Sequence, residues 1–370
     1  MANQDLSRRD FLQTTAAAAA AAGVGSALPA MAADAPAMDK SKVPSFNEKM
    51  EYRRLGKTNL WVSAVCLGGH WKQIDKFAPK AMKSKSWLAV DVKNEQFMAN
   101  RKAVIDRCME VGINYVDACT REEVVAYSDA IGPQRRDKMI FGFSWYQEEM
   151  RNPKFRTCAK LLETLEKGMK AANLEVVDLW RIVMHERSSS HTEKEVEEMM
   201  KALETARKQG KCRFTGLSSH DRPHVAKMIE KYPDIVQVVV MPYTADTKAL
   251  PTDSLFDVLK KCDVGFLGIK PFSSHSIFKG DGTPDSPHKE ADNKLARLAI
   301  RYILCNPAVT APIPGLLTAA QVDNLAQAVI ERREKGMMDL AEARELREAM
   351  DRSWASLPEG YQWLHDWRYV

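Results

Sequence analysis

Residues 111–132 read VGINYVDACTREEVVAYSDAIG. The apolar run 113–119 predicts a buried strand that delivers Asp117 to its exit, and 121–131 predicts the helix that follows it. A carboxylate at the exit of such a strand is where parallel α/β barrels keep their chemistry. The rest of the chain can be ordered around this unit.

Working outward, apolar runs bounded by turn residues recur at 62–69, 115–119, 139–145, 176–185, 214–219, 236–243, 264–272 and 310–315. Stretches of helical spacing lie between them, such as 157–172 and 192–209, the latter opened by Thr192 with Glu195 three residues on. Eight alternations of strand and helix predict an α/β chain folded as a (β/α)8 TIM barrel, with no room for a second domain. Lys57-Thr58-Asn59, flanked by EYRRLG and LWVSAV, predicts a short β-hairpin ahead of the barrel. A doubly wound sheet is the alternative, but Leu67-Gly68-Gly69-His70 is not the Gly-rich turn that fold requires. Two long insertions, 70–94 and 273–292, follow strand ends and should rim the mouth at the C-terminal face. The closing YQWLHDWRYV is too aromatic for a plain tail; it either covers that mouth or hides a bare patch of the barrel.

The amino terminus has its own logic. Ser7-Arg8-Arg9-Asp10-Phe11-Leu12 precedes a run of alanines and the small-residue pattern Ala30-Met31-Ala32, which predicts a twin-arginine signal peptide over 1–32. An uncleaved anchor is the alternative, but an Ala-rich middle with Gly23, Gly25 and Pro29 is weakly apolar for a membrane span. The expected partners are therefore the twin-arginine export machinery and a small-molecule substrate, in the periplasm or outside the cell, with no stable span in the mature chain. Residues 33–48 read as a linker and 49–370 as one barrel domain. The net charge of +5 is spread without a basic tract and gives no footprint for nucleic acid. Seven cysteines without a C-x-x-C pair make neither a disulfide framework nor an iron–sulfur or zinc pattern.

Five segments taken in order, RRLGKTNLWVSAVCLGG, GINYVDA, RDKMIFGFSW, GKCRFTGLSSH and AIRYILCNPAVTAPIPG, make the chain from 50 to about 324 resemble the aldo/keto reductases. The resemblance implies carbonyl reduction with NADP or NAD at a site of Asp, Tyr, Lys and His. The Asp matches Asp117 and the His matches His185, two residues later than the usual spacing. The Tyr position holds Glu122 and the Lys position Ser144. In the cofactor groove the resemblance points to Ser218, Ser219 (an Asn in the family), Gln237, Ile269 (an aromatic), Lys270 (a Ser) and Gly315. After the eighth strand, IPGLLTAAQVDNL lacks the Arg that would grip a 2′-phosphate.

Tyr127 is a poor replacement for the missing tyrosine, since five helical residues at about 1.5 Å each carry it roughly 7.5 Å away. Glu122, with an ordinary pKa of about 4.3, becomes an acid only if burial or Asp117 raises it. The mouth should hold Asp117, Glu122, Ser144, Trp145, Arg181, His185, Glu186, His220, Lys270 and His275. Each also has a plainer reading: Asp117 as a helix cap, His185 as a fixed barrel-end imidazole, and His220 as a cap of the next helix. Lys270 should meet Asp117 or an anionic ligand. A metal held by His185, His220 and a carboxylate matches no ligand spacing, so no metal is expected. Trp71, Trp87 and Trp145 suit either a sugar-stacking platform or rim packing.

The function expected is an exported oxidoreductase acting on a carbonyl or hydroxyl of a small polar, sugar-like substrate. The alternatives are a cofactor-independent isomerase or lyase using Glu122, His185 and Lys270, and a non-catalytic ligand-binding barrel.

Overall fold

The computed structural model describes residues 36–84, 86, 88–248 and 254–367, with the side chains of residues 366 and 367 excepted. The leader, its cleavage point and Trp87 lie outside the described residues. The compact body begins at Asp39. From there the segment expected as a linker is docked: Val43 is buried, and the Asn47 side-chain amide donates to the Glu110 carbonyl.

The hairpin pairs β1 (Tyr52–Arg54) with β2 (Trp61–Ser63) in antiparallel register. It turns through a 3-10 step at Gly56–Thr58 and a left-handed Asn59. Its Leu55 is wholly buried among Tyr115, Ile140, Leu179, Val238 and Leu267, so the hairpin closes one end of the barrel interior.

Seven parallel strands follow in sequential order: β3 (Tyr115–Ala118), β4 (Ile140–Phe143), β5 (Val177–Val183), β6 (Cys212–Ser218), β7 (Val238–Pro242), β8 (Gly265–Ile269) and β9 (Ala311–Ile313). The first stave differs from the expected 62–69. Its early residues belong to the hairpin, and only Leu67 and Gly68 bridge, to Val116 and Gly315 respectively. Those two parallel bridges join β3 to β9 and complete the (β/α)8 arrangement.

Helix α1 (Glu95–Val111) precedes β3, and α2 (Arg121–Ile131) follows it, opened by a capping box between Thr120 and Glu123. Around the strands run α3 (Cys158–Ala171), α4 (Glu193–Lys208), α5 (Arg222–Lys231), α6 (Leu255–Cys262), α7 (Lys289–Ile303) and α8 (Ala319–Lys335). Helix α9 (Leu340–Ala355) buries Leu346, Ala349 and Met350 against Leu295, Leu298 and Ala299 of α7. The 3-10 segment Glu359–Trp367 then crosses the mouth, where Gly360, Tyr361 and Trp363 line the cavity. The described part of the aromatic tail, with Tyr361 and Trp363, therefore covers the mouth. Among the described residues no helix is long and apolar enough to cross a membrane.

Candidate active site

The floor of the mouth is a buried ion pair. Arg181 on β5 donates Nε to Asp117 Oδ1 at 2.8 Å and Nη2 to Oδ2 at 2.5 Å, with both side chains almost fully enclosed. The Tyr115 hydroxyl lies 3.4 Å from the same carboxylate. In a closed barrel, alternate strands share a layer of side chains. The intervening strand presents Gly142, opposite Asp117 in the register, where a Cβ would fall 3.1 Å from Asp117 Oδ1. That gap lets a guanidinium from β5 reach a carboxylate on β3. Burial works against the Arg181 charge, but the Asp117 carboxylate outweighs it and holds the pKa above the ordinary value. Asp117 is thus partnered by Arg181 and not by Lys270.

Ser144, expected in the lysine position, is fully buried behind the cavity and donates its hydroxyl to Glu149 Oε2 at 2.6 Å. Glu149 also accepts the amides of Trp145 and Val183, so this pair braces the loop after β4 and is no part of the cavity wall.

Glu122 is likewise displaced. It is half-buried, burial pushes its carboxyl up, and it is not among the lining residues. The adjacent Glu123 takes the inward position, because the third residue of a capped helix folds its side chain back toward the cap. Its Oε2 accepts the amides of Cys119 and Thr120 at 2.8 and 3.3 Å. Its Oε1 accepts the His70 amide at 2.5 Å and pairs with His70 Nδ1 at 2.9 Å. A Cβ at Gly69 would sit 2.2 Å from the Glu123 carboxylate, so the loop approaches this close only with glycine there. Burial would raise the Glu123 pKa, but the imidazole and these backbone amides hold it down to about 2.

Sequence reasoning missed both His70 and Glu123. The T-x-x-E spacing at 120–123 was the available signal, since it marks Glu123 as the residue that folds back. Together with Cys119, whose Sγ lies 3.8 Å from His70 Nδ1, the two offer donor atoms within 4.8 Å of one another. Both Glu123 oxygens are already used by N–H groups, and burial keeps the Cys119 thiol well above its ordinary pKa.

His185 does not reach the cavity. Strand β5 ends at Val183, which occupies the wall, and His185 is two residues beyond, half-exposed, with Nδ1 accepting the Arg187 amide. Glu186 pairs at 2.6 Å with Arg151, and both line the mouth. Of the trio Glu122, His185 and Lys270, the cavity brings in Lys270 alone.

His220 does line it. The helix after it is capped by Asp221, and the His220 ring stacks on Trp363 at 4.1 Å. Burial, then Lys270 and Arg151, push His220 far below its ordinary pKa, which favours the neutral imidazole, and its Nδ1 has no hydrogen-bond partner among the described residues. Lys270 leaves β8 on a left-handed backbone (φ 61°) and sets its ammonium 5.3 Å from the Trp363 ring centre. Burial lowers its pKa.

The cavity measures about 700 Å³ and runs from Asp117 and Arg181, past the segment after β8, to the start of α8. Ser218, Ile269 and Gly315 line it. Ser219 does not, since its hydroxyl donates to the carbonyls of His185 and Glu186. Gln237 does not either; its side-chain oxygen accepts the Thr215 amide in the barrel wall. Trp71 is packed against Phe97 and Tyr127, and Trp145 is buried, so neither forms a platform. The aromatic rings that line the cavity instead include Tyr361, Trp363, Phe272, Phe278, Phe77 and Tyr146.

The far end suits an elongated anion. Gly68, Gly69 and Gly315 present bare backbone, and a Cβ at Gly315 would lie 2.6 Å from the Gly69 carbonyl oxygen. Beyond them α8, capped by Thr318, points its N-terminus at the cavity with Gln321 and Asn324, and Lys289 faces them from α7. Arg297 is already engaged by Asn324 and Glu331.

The sequence model of the aldo/keto reductase family matches residues 87–296, more than half of the chain. That of the twin-arginine translocation signal matches residues 5–25. Among curated proteins, the uncharacterized oxidoreductase YrpG of Bacillus subtilis is 23% identical over 359 residues, covering 85% of this chain and 100% of the relative. The L-galactose dehydrogenase of Arabidopsis thaliana is 24% identical over 324 residues, covering 78% and 91%. Among solved structures, the holo form of an aldo-keto reductase from Bacillus halodurans superposes with a TM-score of 0.56 at 19% identity, covering 85% of this chain and 99% of that one. At that identity the likeness is one of fold.

Proposed function

The chain belongs to the aldo/keto reductase family, and from that premise we infer that it is an exported oxidoreductase interconverting carbonyl and hydroxyl on a small polar substrate with a nicotinamide nucleotide. One observation carries the reading: a single cavity joins the buried Asp117–Arg181 floor to an anion-suited groove at the N-terminus of α8.

Ser218, Ile269 and Gly315 would flank the nicotinamide half. Lys289, Gln321, Asn324 and the helix N-terminus would hold the phosphate and adenosine half. A reduced nicotinamide bound there supplies a hydride. The chain's own part is to keep Arg181 charged through Asp117, so that the guanidinium polarises the substrate oxygen, and to exclude water with Trp363 and Phe272. With Arg297 spent on Asn324 and Glu331, the groove favours NAD over NADP. The likeness to a protein named L-galactose dehydrogenase supports a sugar-like substrate. The signal match supports export by the twin-arginine machinery to the periplasm or beyond, and cleavage after Ala32 with one domain following is part of the same proposal.

The test is to denature the exported protein, identify released nucleotide by mass spectrometry, and titrate the emptied protein with NADH and NADPH. Bound nicotinamide nucleotide, with NADH the tighter ligand, is expected. A protein that carries none and binds neither would remove the oxidoreductase reading.

A further inference from the structure

A hydride transferred to a carbonyl carbon must be matched by a proton on the oxygen, and the strand-end tyrosine of the resemblance is absent. Four tyrosines stand near the floor or the mouth. Burial pushes Tyr115 well above the ordinary phenol value and also raises Tyr127 and Tyr146. Tyr127 is moreover committed, its hydroxyl donating to the Gly68 carbonyl at 2.6 Å.

Tyr361 differs in what surrounds it. The Lys72 ammonium lies 3.3 Å from its hydroxyl and 4.8 Å from its ring centre, and the same ammonium lies 3.4 Å from the Ser274 hydroxyl. Lys270 opens into the same cavity. Four non-glycine residues of this loop, Lys270, Ser273, Ser274 and His275, sit at positive φ. Such backbone is retained only where surrounding packing enforces it, and here it aims Lys270 and Ser274 inward. The phenol is itself held: Leu357 and Leu364 are buried on either side of it, and Trp363 stacks on His220. Burial alone would raise the Tyr361 pKa, but Lys270, the Ser274 hydroxyl and Lys72 outweigh it and bring it below the ordinary value.

We propose that Tyr361, carried into the mouth by the C-terminal segment, is the proton donor in carbonyl reduction and the proton acceptor in the reverse direction, with Lys270 and Lys72 as positioning residues that stabilise its phenolate. The proposal rests on the oxidoreductase reading above. In reduction the carbonyl carbon gains a hydride from a reduced nicotinamide nucleotide, the C=O π pair moves to oxygen, and that oxygen takes the Tyr361 proton. The resulting phenolate faces two ammonium groups and regains its proton from water. Charge is conserved at each step, and no further co-reactant is needed.

Tyr361→Phe in the full exported protein should lower kcat for glyceraldehyde with NADH by about 10²–10⁴-fold, with KM and nucleotide binding little changed. A second readout needs no substrate. The ultraviolet phenolate titration of the wild type minus that of Tyr361→Phe should show one phenol titrating below about 10, moved upward by Lys270→Met and by Lys72→Met. A normal or raised phenol overturns the proposal, as does full activity in Tyr361→Phe. Loss in His70→Gln while Tyr361→Phe keeps its rate assigns the proton to the imidazole and overturns it as well. If wild type binds nucleotide but reduces no carbonyl offered, the oxidoreductase reading falls separately, and the titration still decides whether this phenol is the activated one.

Discussion

Replacing Arg181 by Met keeps much of its length and removes its charge, leaving Asp117 enclosed among Tyr115, Cys66 and the barrel wall. For charge centres about 4 Å apart at an effective dielectric of 20, the attraction lost is about 4 kcal/mol. Breaking one side of a buried pair costs a comparable 3–5 kcal/mol or so, because the remaining charge stays desolvated. The bidentate geometry and near-total burial place this pair in that class. The Tyr115 hydroxyl, at 3.4 Å, offers Asp117 only a weak second donor. Urea unfolding followed by tryptophan fluorescence measures the loss, and Arg181→Met is expected to fall by about 3–5 kcal/mol. Asp117→Leu combined with Arg181→Met should recover most of it, since neither half is then left charged in the interior. A single-variant loss below about 1 kcal/mol, as for an exposed pair, would refute the account of the floor, as would a double variant no better than the single.

Glu123 has a folded pKa of about 2 against 4.5 for the free group. A depressed carboxyl stabilises above its unfolded value and loses that contribution as pH falls through its folded value, so about 2–4 kcal/mol should disappear between roughly pH 4.5 and 2. Glu123→Gln should flatten that acid limb in urea melts taken across the range; an unchanged limb would mean the carboxylate is not held as described. Gly69→Ala forces a Cβ to within 2.2 Å of the Glu123 carboxylate, and should destabilise by about 1–3 kcal/mol while disturbing the His70 resonance in imidazole NMR spectra. Ser144→Ala takes the short hydroxyl bond from buried Glu149 and should cost about 1–3 kcal/mol in the same melts; a neutral effect would show that the Trp145 and Val183 amides suffice.

The barrel was legible because its signal is repetitive: strands and helices of the right length alternate, and a capping box such as Thr192–Glu195 appears where it was read. The first stave was harder, since 62–69 is one apolar run in the sequence and is divided in space between hairpin and barrel. At the site, Asp117 was legible because strand-end placement follows from the strand alone. Its partner was not. Matching residues by position assigned the cation's place to Ser144, while the physical requirement is only a cation in reach of the same layer, and Gly142 opens that reach to Arg181. Glu122 was chosen by counting from Asp117. The helix cap, which sets side-chain direction, selects Glu123 instead. Tyr361 lies more than 230 residues from Asp117 in the chain, where no local pattern links the two.

These displacements share a consequence. An acid at a strand end is fixed by the barrel and is present whenever the barrel is folded. One carried on a 3-10 segment is in place only when that segment is seated, with Leu357 and Leu364 buried and Trp363 against His220. The same segment roofs the cavity, so the proton donor and the exclusion of water arrive together. The floor pair does not depend on the segment, since Asp117 and Arg181 hold each other within the barrel wall. Binding at the groove and proton transfer at the mouth are therefore separable in this chain. On the oxidoreductase reading proposed above, that separation lets a nucleotide be enclosed beneath the segment before the substrate is met.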